Sequence, residues 1–301
     1  MGKFAVLGVA VLAFGLAACR ADTASAPPPA ASPSPSVSPS PSEAPLAVGQ
    51  CLKSAARRPF DPRFYRATPI ACEQSHALEV VLIGAAADGA APPATGSAEY
   101  RAAYAACGQA VNAYVGGDWH DGLLGIDVQE PTQSDWSAGR RTTVCTVYGS
   151  ANAYSTMIFR TGTLKDSLAG AAPAAMRCLE VVGEADADGW YRSLAEMRPI
   201  DCGQPHGAEY TGTVTVPGAT LPAADELADL MIDACWGPTA KFLGLSRARA
   251  MRRADIAVTF EGMSENRWQS GDHVQRCYAA VPYARKVHAS LRGLGSRALP
   301  T

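Results

Sequence analysis

The sequence predicts an α+β fold that is built twice: two tandem homologous domains, each a small antiparallel sheet with one main helix, stapled by disulfides. Three observations predict it. One motif occurs twice, the cysteines repeat in register, and each copy contains a β-branched run followed by a helical stripe. Because self-similarity at a fixed distance indicates duplication, the repeat is the organising feature of the chain.

The repeated motif is Pro-Ile-x-Cys-x-Gln-x-His-x-x-Glu, at residues 69–79 and again at 199–209. A second pattern, Trp-x-x-Gly with a cysteine nine residues after the Trp, starts at Trp136 and at Trp268. The four cysteines of each copy correspond in order at offsets of 127, 130, 128 and 132 positions: Cys51, Cys72, Cys107 and Cys145 against Cys178, Cys202, Cys235 and Cys277. The two domains are therefore expected at 46–172 and 173–301.

The strands of each half are predicted from β-branched runs. One run follows each motif, at 79–83 and 209–216, and another holds the fourth cysteine of each half, at 141–148 and 274–281. Antiparallel pairing of such short strands, with a helix on one face, is the simplest way to bury them.

The main helix of each half is predicted from apolar residues at helical spacing. In the first half Ser97 is the expected N-cap, and the stripe is Tyr100, Tyr104, Cys107, Val111 and Tyr114. In the second half the stripe is Leu227, Met231 and Cys235. Thr132 and Ser264 are expected to cap a short helical turn before each Trp. The third cysteine of each half should therefore face the core.

The N-terminus predicts export. Residues 1–18 have a basic Lys3 and a short apolar run, as in a signal peptide, and nothing later is long enough to span a membrane. The run ends at Leu16-Ala-Ala-Cys19, which resembles the lipobox of bacterial lipoproteins. That resemblance implies cleavage before Cys19, lipidation of its sulfur, and a cell-membrane location on the extracytoplasmic face. Residues 19–45 are rich in Pro, Ser and Ala and predict an extended linker.

The remaining eight cysteines are expected to form disulfides, because an exported chain meets an oxidising compartment. A zinc site is the alternative, since the Cys72–His76 spacing suits two ligands, but such a site needs four ligands and no Cys-x-x-Cys pair is present. Four cysteines allow three connectivities in each half. A helix cysteine that points inward can meet a cysteine of the sheet, so we expect Cys51–Cys72, Cys107–Cys145, Cys178–Cys202 and Cys235–Cys277.

This layout resembles the septum-formation domain family of high-GC Gram-positive bacteria. The resemblance covers most of both halves and rests on a cysteine-containing start, a Cys-x-x-x-His-x-x-Glu motif, a helix cysteine and a Trp-x-x-Gly-x-Arg-like segment, here Gly49-Gln50-Cys51, Cys72 to Glu79, Cys107, and Trp136 to Arg140 before Cys145. The second half departs from it, because Cys178 lacks a preceding Gly and Asp272 follows Gly271 where Arg140 follows Gly139.

The most enzyme-like elements are the pairs His76/Glu79 and His206/Glu209. A general base needs a His oriented by a carboxylate near a nucleophile. No Gly-x-Ser-x-Gly, Ser-x-x-Lys or His-Glu-x-x-His motif is present, so we expect no catalytic residue, no metal and no cofactor. The pairs instead are expected to fix a turn before a strand, with ligand binding as the alternative.

Two further segments carry candidate binding residues. Trp136 and Trp268 are either packing anchors or stacking platforms for a sugar ring. The segment 116–122, Gly-Gly-Asp-Trp-His-Asp-Gly, is predicted to be a polar, exposed loop, because it lacks the spacing of a calcium site.

The chain has a net charge of −2, which argues against a nucleic-acid partner because such binding needs a basic footprint. The expected function is a non-enzymatic, lipid-anchored extracytoplasmic module that binds a cell-wall polymer, other envelope components or division proteins. The alternative is an envelope enzyme that acts on a cell-wall polymer through a His/Glu pair. That alternative predicts an open cleft lined by His76 and Glu79.

Overall fold

A computed structural model describes residues 45–53, 67–153 and 156–301, with only the backbone described at 192–195. The predicted signal peptide at 1–18, Cys19 and the linker as far as residue 44 lie outside the described residues. Residues Pro45–Thr301 form one compact unit that contains both halves.

The first half has a five-stranded antiparallel sheet, with the strands in the order β2-β1-β3-β5-β4. Helix α1 (Ala98–Val115) packs on one face. A 3-10 turn (Trp119–Asp121) precedes β4, and the short helix α2 (Gln133–Ser137) precedes β5. The strands are β1 Cys51–Lys53, β2 Thr68–Ile70, β3 Leu78–Ala85, β4 Leu124–Gln129 and β5 Thr142–Gly149.

The second half repeats this arrangement, with strand order β7-β6-β8-β10-β9 and the main helix α3 (Ala224–Leu243). The short helices α4 (Arg247–Ala250) and α5 (Glu265–Gln269) follow α3. The strands are β6 Cys178–Ala185, β7 Tyr191–Ile200, β8 Ala208–Thr215, β9 Ala257–Phe260 and β10 Val274–Ala280. The predicted α+β class, with a sheet and one main helix in each half, is confirmed.

Helix α1 begins and ends at the residues that its sequence favours. The hydroxyl of Ser97 accepts a hydrogen bond from the Tyr100 amide, and Gly116 ends the helix with φ 80°, a left-handed conformation that glycine adopts without strain. The predicted stripe is buried except at its last residue, where Val115 is buried and Tyr114 is only half-buried. The hydroxyl of Tyr114 donates a hydrogen bond to the carboxylate of Glu79 at 3.0 Å.

Four disulfides join helix to sheet and strand to loop. The bridge Cys107–Cys145 connects α1 to β5, and Cys235–Cys277 connects α3 to β10, with Cα atoms 5.4 and 5.3 Å apart. Cys51 and Cys178 begin the first strand of each half and are bonded to Cys72 and Cys202. All four pairs are the ones that the sequence predicts, and none joins the two halves.

The two halves share a buried layer. Ala153 and Leu123 of the first half pack with Met197 and Tyr278 of the second. The amide of Ala153 donates to the carbonyl oxygen of Met197 at 3.1 Å. This layer holds the two sheets together through both apolar packing and backbone hydrogen bonds.

Candidate functional site

The His/Glu pair of the first motif is fully buried at the start of β3. His76 and Glu79 are each 0% exposed. The Nδ1 atom of His76 lies 2.9 Å from the carbonyl oxygen of Gln74, and its Nε2 lies 3.4 Å from Oε1 of Glu79. Because a carbonyl oxygen can only accept, Nδ1 must donate, and this fixes the ring in the turn that precedes the strand.

The carboxylate of Glu79 holds the segment that follows β5. It accepts hydrogen bonds from the Leu164 amide at 2.8 Å, from the hydroxyl of Thr163 at 2.8 Å and from that of Tyr114 at 3.0 Å. Arg160 adds an ion pair at 2.8 Å. Each bond to a charged acceptor contributes about 1.5–3 kcal/mol, so this carboxylate is a strong local attachment point.

The second motif makes the same attachment with different neighbours. His206 Nε2 lies 3.0 Å from Oε1 of Glu209, which accepts from the Leu291 amide at 2.6 Å, while Ser290 donates to Oε2 at 2.7 Å. The backbone of Val287 pairs with His206 as Arg160 pairs with His76, so the second copy has no arginine at this position. Burial is the largest single influence on the pKa of His206 and lowers it, but the hydrogen bonds with Glu209 and with the Gln204 carbonyl, together with the charge of Glu209, outweigh burial, and the net direction is upward.

Each motif is therefore a structural clamp that ties the last segment of its half to the central strand. The enzyme alternative predicts an open cleft at His76 and Glu79. That prediction is wrong, because both side chains are buried and the carboxylate is already bonded to Leu164. His206 and Glu209 are likewise buried and engaged. The pairs also come within 4.8 Å of Cys51 and Cys178, respectively, but those sulfurs are in disulfides and are not the thiolates that a zinc ion requires.

Trp136 and Trp268 are both buried, with 5% of each residue exposed. The guanidinium of Arg141 lies 3.7 Å from the ring centre of Trp136, and the ring of His273 stacks on Trp268 at 3.6 Å. A stacking platform needs a ring face open to solvent. This geometry matches a packing anchor in both halves.

The segment 116–122 forms the exposed polar loop that its composition predicts only in part, since Asp118 and Asp121 are exposed. Its central residues form the 3-10 turn, and Trp119 is buried in the core beneath α1. His120 lies between two carboxylates, 2.7 Å from Asp118 and 3.2 Å from Asp272 of the second half. The turn packs against the core because the apolar ring of Trp119 is buried there, and this position brings His120 into contact with Asp272 of the second half.

A buried network of ion pairs and hydrogen bonds crosses this boundary, and no sequence motif predicts it. Arg276, on β10, donates to the carbonyl oxygens of His120 at 2.7 Å and Gly122 at 3.1 Å in the first half. Its guanidinium also lies 3.4 Å from Glu261, which pairs with Arg267 at 2.8 Å. Burial is the largest influence and disfavours the charged guanidinium, but Glu261 together with Tyr278 and Tyr210 outweighs it and raises the pKa of Arg276. The alternation of apolar and polar residues along β10 does not distinguish an exposed arginine from this one.

One ion pair of the repeat is reversed in sign between the halves. In the first half Arg140 pairs with Asp135 at 2.6 Å near the surface. At the corresponding positions of the second half, Arg267 pairs with Asp272 at 2.9 Å and is drawn into the buried network. The departure at Asp272 thus keeps the pair and redirects its acid toward His120.

A cleft of about 740 Å³ lies between the two halves. Its walls come from the turn at Gly96 and from Arg101 in the first half, and from Thr220, Glu265 and Trp268 in the second. Arg101 and Glu265 are exposed, so the cleft presents one cation and one carboxylate beside an aromatic edge. Polar and aromatic groups that converge in one cleft are typical of a binding site.

Residues 48–277 match the septum formation family model. The chain therefore belongs to the septum formation family. The match runs through both halves of this septum formation protein and ends at Cys277, the last cysteine of the repeat. The family points to a role in cell division or the cell envelope. No curated protein and no solved structure matches the chain. Within the described residues, none of the helices combines the length and the apolar character needed to cross a bilayer.

Proposed function

We propose that this septum formation protein is an extracytoplasmic binding module, lipid-anchored to the cell membrane at Cys19, that binds envelope components or division proteins during septum formation. The carrying observation is that both His/Glu pairs are buried and occupied by structural partners. With its most enzyme-like residues used as clamps, the molecule offers surfaces for binding rather than a general base.

The cleft between the halves is the surface that best suits a partner. It is wide enough for a polymer strand or a peptide, and its walls come from both copies of the repeat. Disulfides in each half and the buried network of Arg276 fix those walls, so binding there loses little conformational entropy. A rigid cleft with Arg101 and Glu265 at its rim favours a partner that carries both charges or hydroxyl groups.

The predicted location rests on three features of the chain. The lipobox-like segment ends at Cys19, and the Pro-rich linker after it would hold the folded unit away from the lipid. The four disulfides are typical of a compartment outside the cytosol. Two acyl chains on Cys19 would give stable anchoring where one would not.

Photo-crosslinking in dividing cells tests the binding role. A photoreactive amino acid at Thr220, exposed in the cleft, is compared with one at Glu73, exposed on the first half. The proposal predicts a specific crosslink to a cell-wall polymer or a division protein from Thr220 and none from Glu73. Identical products from both positions, or none from Thr220, would contradict it.

The enzyme alternative is tested separately with purified cell walls. Whether or not the chain sediments with the walls, the proposal predicts that it releases no soluble fragments from them. Release that is lost in His76→Ala and retained in a matched His288→Ala variant would show catalysis and overturn the proposal. The side chain of His288 is exposed and is not one of the groups that the second clamp holds, which are the backbone of Val287 and Leu291 and the hydroxyl of Ser290.

A further inference from the structure

The first half contains an apolar cavity of about 520 Å³ that the sequence patterns do not predict. It lies between the first turns of α1, the C-terminal ends of β3 and β4 and the beginning of β5. Half of the residues that line it are alanines, and Leu82 and Val128 add larger apolar side chains. The volume is within the range of small-molecule binding pockets.

The second half fills the corresponding space. The bridges Cys107–Cys145 and Cys235–Cys277 align the two halves with each other. In this alignment four residues of the first half correspond, in order, to four larger residues of the second: Gly84, Ala86, Ala103 and Val128 to Val214, Val216, Met231 and Phe260. The larger set packs with Leu227 and Trp268 as a core cluster.

This asymmetry is informative because apolar surface left open to solvent forgoes a stabilisation of about 25 cal/mol for each Å² that packing would bury. The two copies share strand order, disulfides and clamps, so the fold itself does not require the cavity. A Cβ atom at Gly84 would meet no atom within 4 Å, which shows that backbone crowding does not force the small residue there. An occupant would account for the small side chains.

The polar end of the cavity defines the head group of that occupant. Glu130 is 7% exposed and accepts one hydrogen bond, from the hydroxyl of Thr143 at 2.6 Å. Among the described residues no other donor reaches its carboxylate. Glu99 stands at the rim, and no lysine or arginine lines the cavity. Burial raises the pKa of Glu130, and a bound cation would offset that cost.

We propose that this cavity binds an amphiphile with a linear apolar body and an amine head group. The apolar body lies against the alanine walls beside α1, and the ammonium group donates to the free oxygen of Glu130. The site is separate from the cleft between the halves, so either can fail without the other.

Binding of octylammonium to the chain from residue 20 onward, measured by calorimetry and by NMR, tests the proposal. Saturable binding is expected, with octanoate at least about tenfold weaker because it would meet the carboxylates of Glu130 and Glu99. Glu130→Gln should lower the affinity for octylammonium about tenfold and abolish its advantage over octanol. Equal affinity for octylammonium and octanoate would overturn the assigned head group.

Variants that copy the second half test the cavity itself. Gly84→Val with Ala103→Met should abolish binding, whereas Ala105→Met, on the exposed face of α1, should leave it unchanged. Thermal unfolding and near-UV circular dichroism show whether each variant remains folded, and Glu130→Gln provides an independent reading if the filled variant does not fold. Undiminished binding in the folded, filled variant would contradict the proposal. The absence of saturable octylammonium binding would contradict it as well.

Discussion

Arg276 donates a hydrogen bond to the backbone carbonyl of His120 at 2.7 Å, across the boundary between the two halves. The bond links β10 of the second half to the 3-10 turn of the first. The same guanidinium reaches the carbonyl of Gly122 and the carboxylate of Glu261. One side chain therefore ties the backbone of one repeat to the buried charges of the other.

Removing this guanidinium should loosen the half–half boundary. Arg276→Met leaves Glu261 with one cationic partner fewer and leaves buried carbonyls without a donor. Breaking a buried pair in this way costs about 3–5 kcal/mol. Urea unfolding should show that loss, whereas Arg252→Met, at an exposed arginine, should stay within about 0.5 kcal/mol of the parent chain. An unchanged free energy of unfolding for Arg276→Met would show that the network does not join the halves.

The helix-to-strand bridges should contribute more than surface contacts do. Replacing Cys107 and Cys145 together by Ala removes a link that spans 38 residues and joins two buried positions. We expect a loss of about 2–5 kcal/mol in the free energy of unfolding. Non-reducing peptide mapping of the parent chain checks the pairing first. A bridge found between the halves, or free thiols at these positions, would refute the connectivity.

Stability should be greatest in mildly acidic solution. Burial raises the pKa of Asp272. The hydrogen bond from His120, the charge of Arg267 and smaller effects of the same sign outweigh burial and lower the pKa to about 2. Because this value lies below the ordinary 3.8, the stabilisation from Asp272 is present above pH 3.8 and is lost as the pH falls towards 2.

The histidine of this pair acts in the opposite direction. Burial lowers the pKa of His120, yet its bonds to Asp118 and Asp272 raise it above the ordinary 6.5. Its stabilisation is complete below pH 6.5 and is lost as the pH rises through the folded-state pKa. Urea unfolding at acidic, neutral and alkaline pH should show this decline, and His120→Gln should make it shallower. His288→Gln, at an exposed histidine, is the control, and an equal effect of both variants would contradict the assignment.

Lipidation at Cys19 has a direct test in cells. Cys19→Ala should release the chain from the membrane fraction or block its maturation, because the lipobox-like site would lose its acceptor sulfur. Fractionation and intact-mass measurement of the parent chain should show a diacylglycerol adduct that the variant lacks. Membrane retention and mass that match those of an unmodified chain in both would refute lipidation.

The repeat made much of the fold predictable from the sequence. Two copies of the four-cysteine pattern and of the Trp-x-x-Gly pattern reduce the chance that either is accidental, so the disulfide pairs and the main helices could be placed. Local signals then placed the caps, as at Thr132, where a hydroxyl and Asp135 form a reciprocal pair. Strands of three residues, such as β1 and β2, carry too few residues for a periodic pattern and were not predicted.

The features that depend on contacts between the halves could not be predicted in the same way. Polar residues around Trp119 predict an exposed loop when only neighbours in sequence are considered. Asp118 and Asp121 are exposed, but the position of the half-buried His120 depends on Arg276 and Asp272, more than 150 positions away in the chain. The cavity near Ala103 also arises from the smaller side chains on two strands and one helix at once, which appear only when the two copies are aligned by their structure.

Amide hydrogen exchange at Leu164 and Leu291 tests the central claim, that each Cys-x-Gln-x-His-x-x-Glu motif is a structural clamp, most directly. Both amides donate to a buried carboxylate and should exchange slowly in the parent chain. Glu79→Gln should speed exchange at Leu164 while leaving Leu291 protected, Glu209→Gln should do the reverse, and Glu73→Gln, at an exposed position, should change neither. Unaltered protection at Leu164 in Glu79→Gln and at Leu291 in Glu209→Gln would contradict the clamp and return these residues to the list of candidate functional groups.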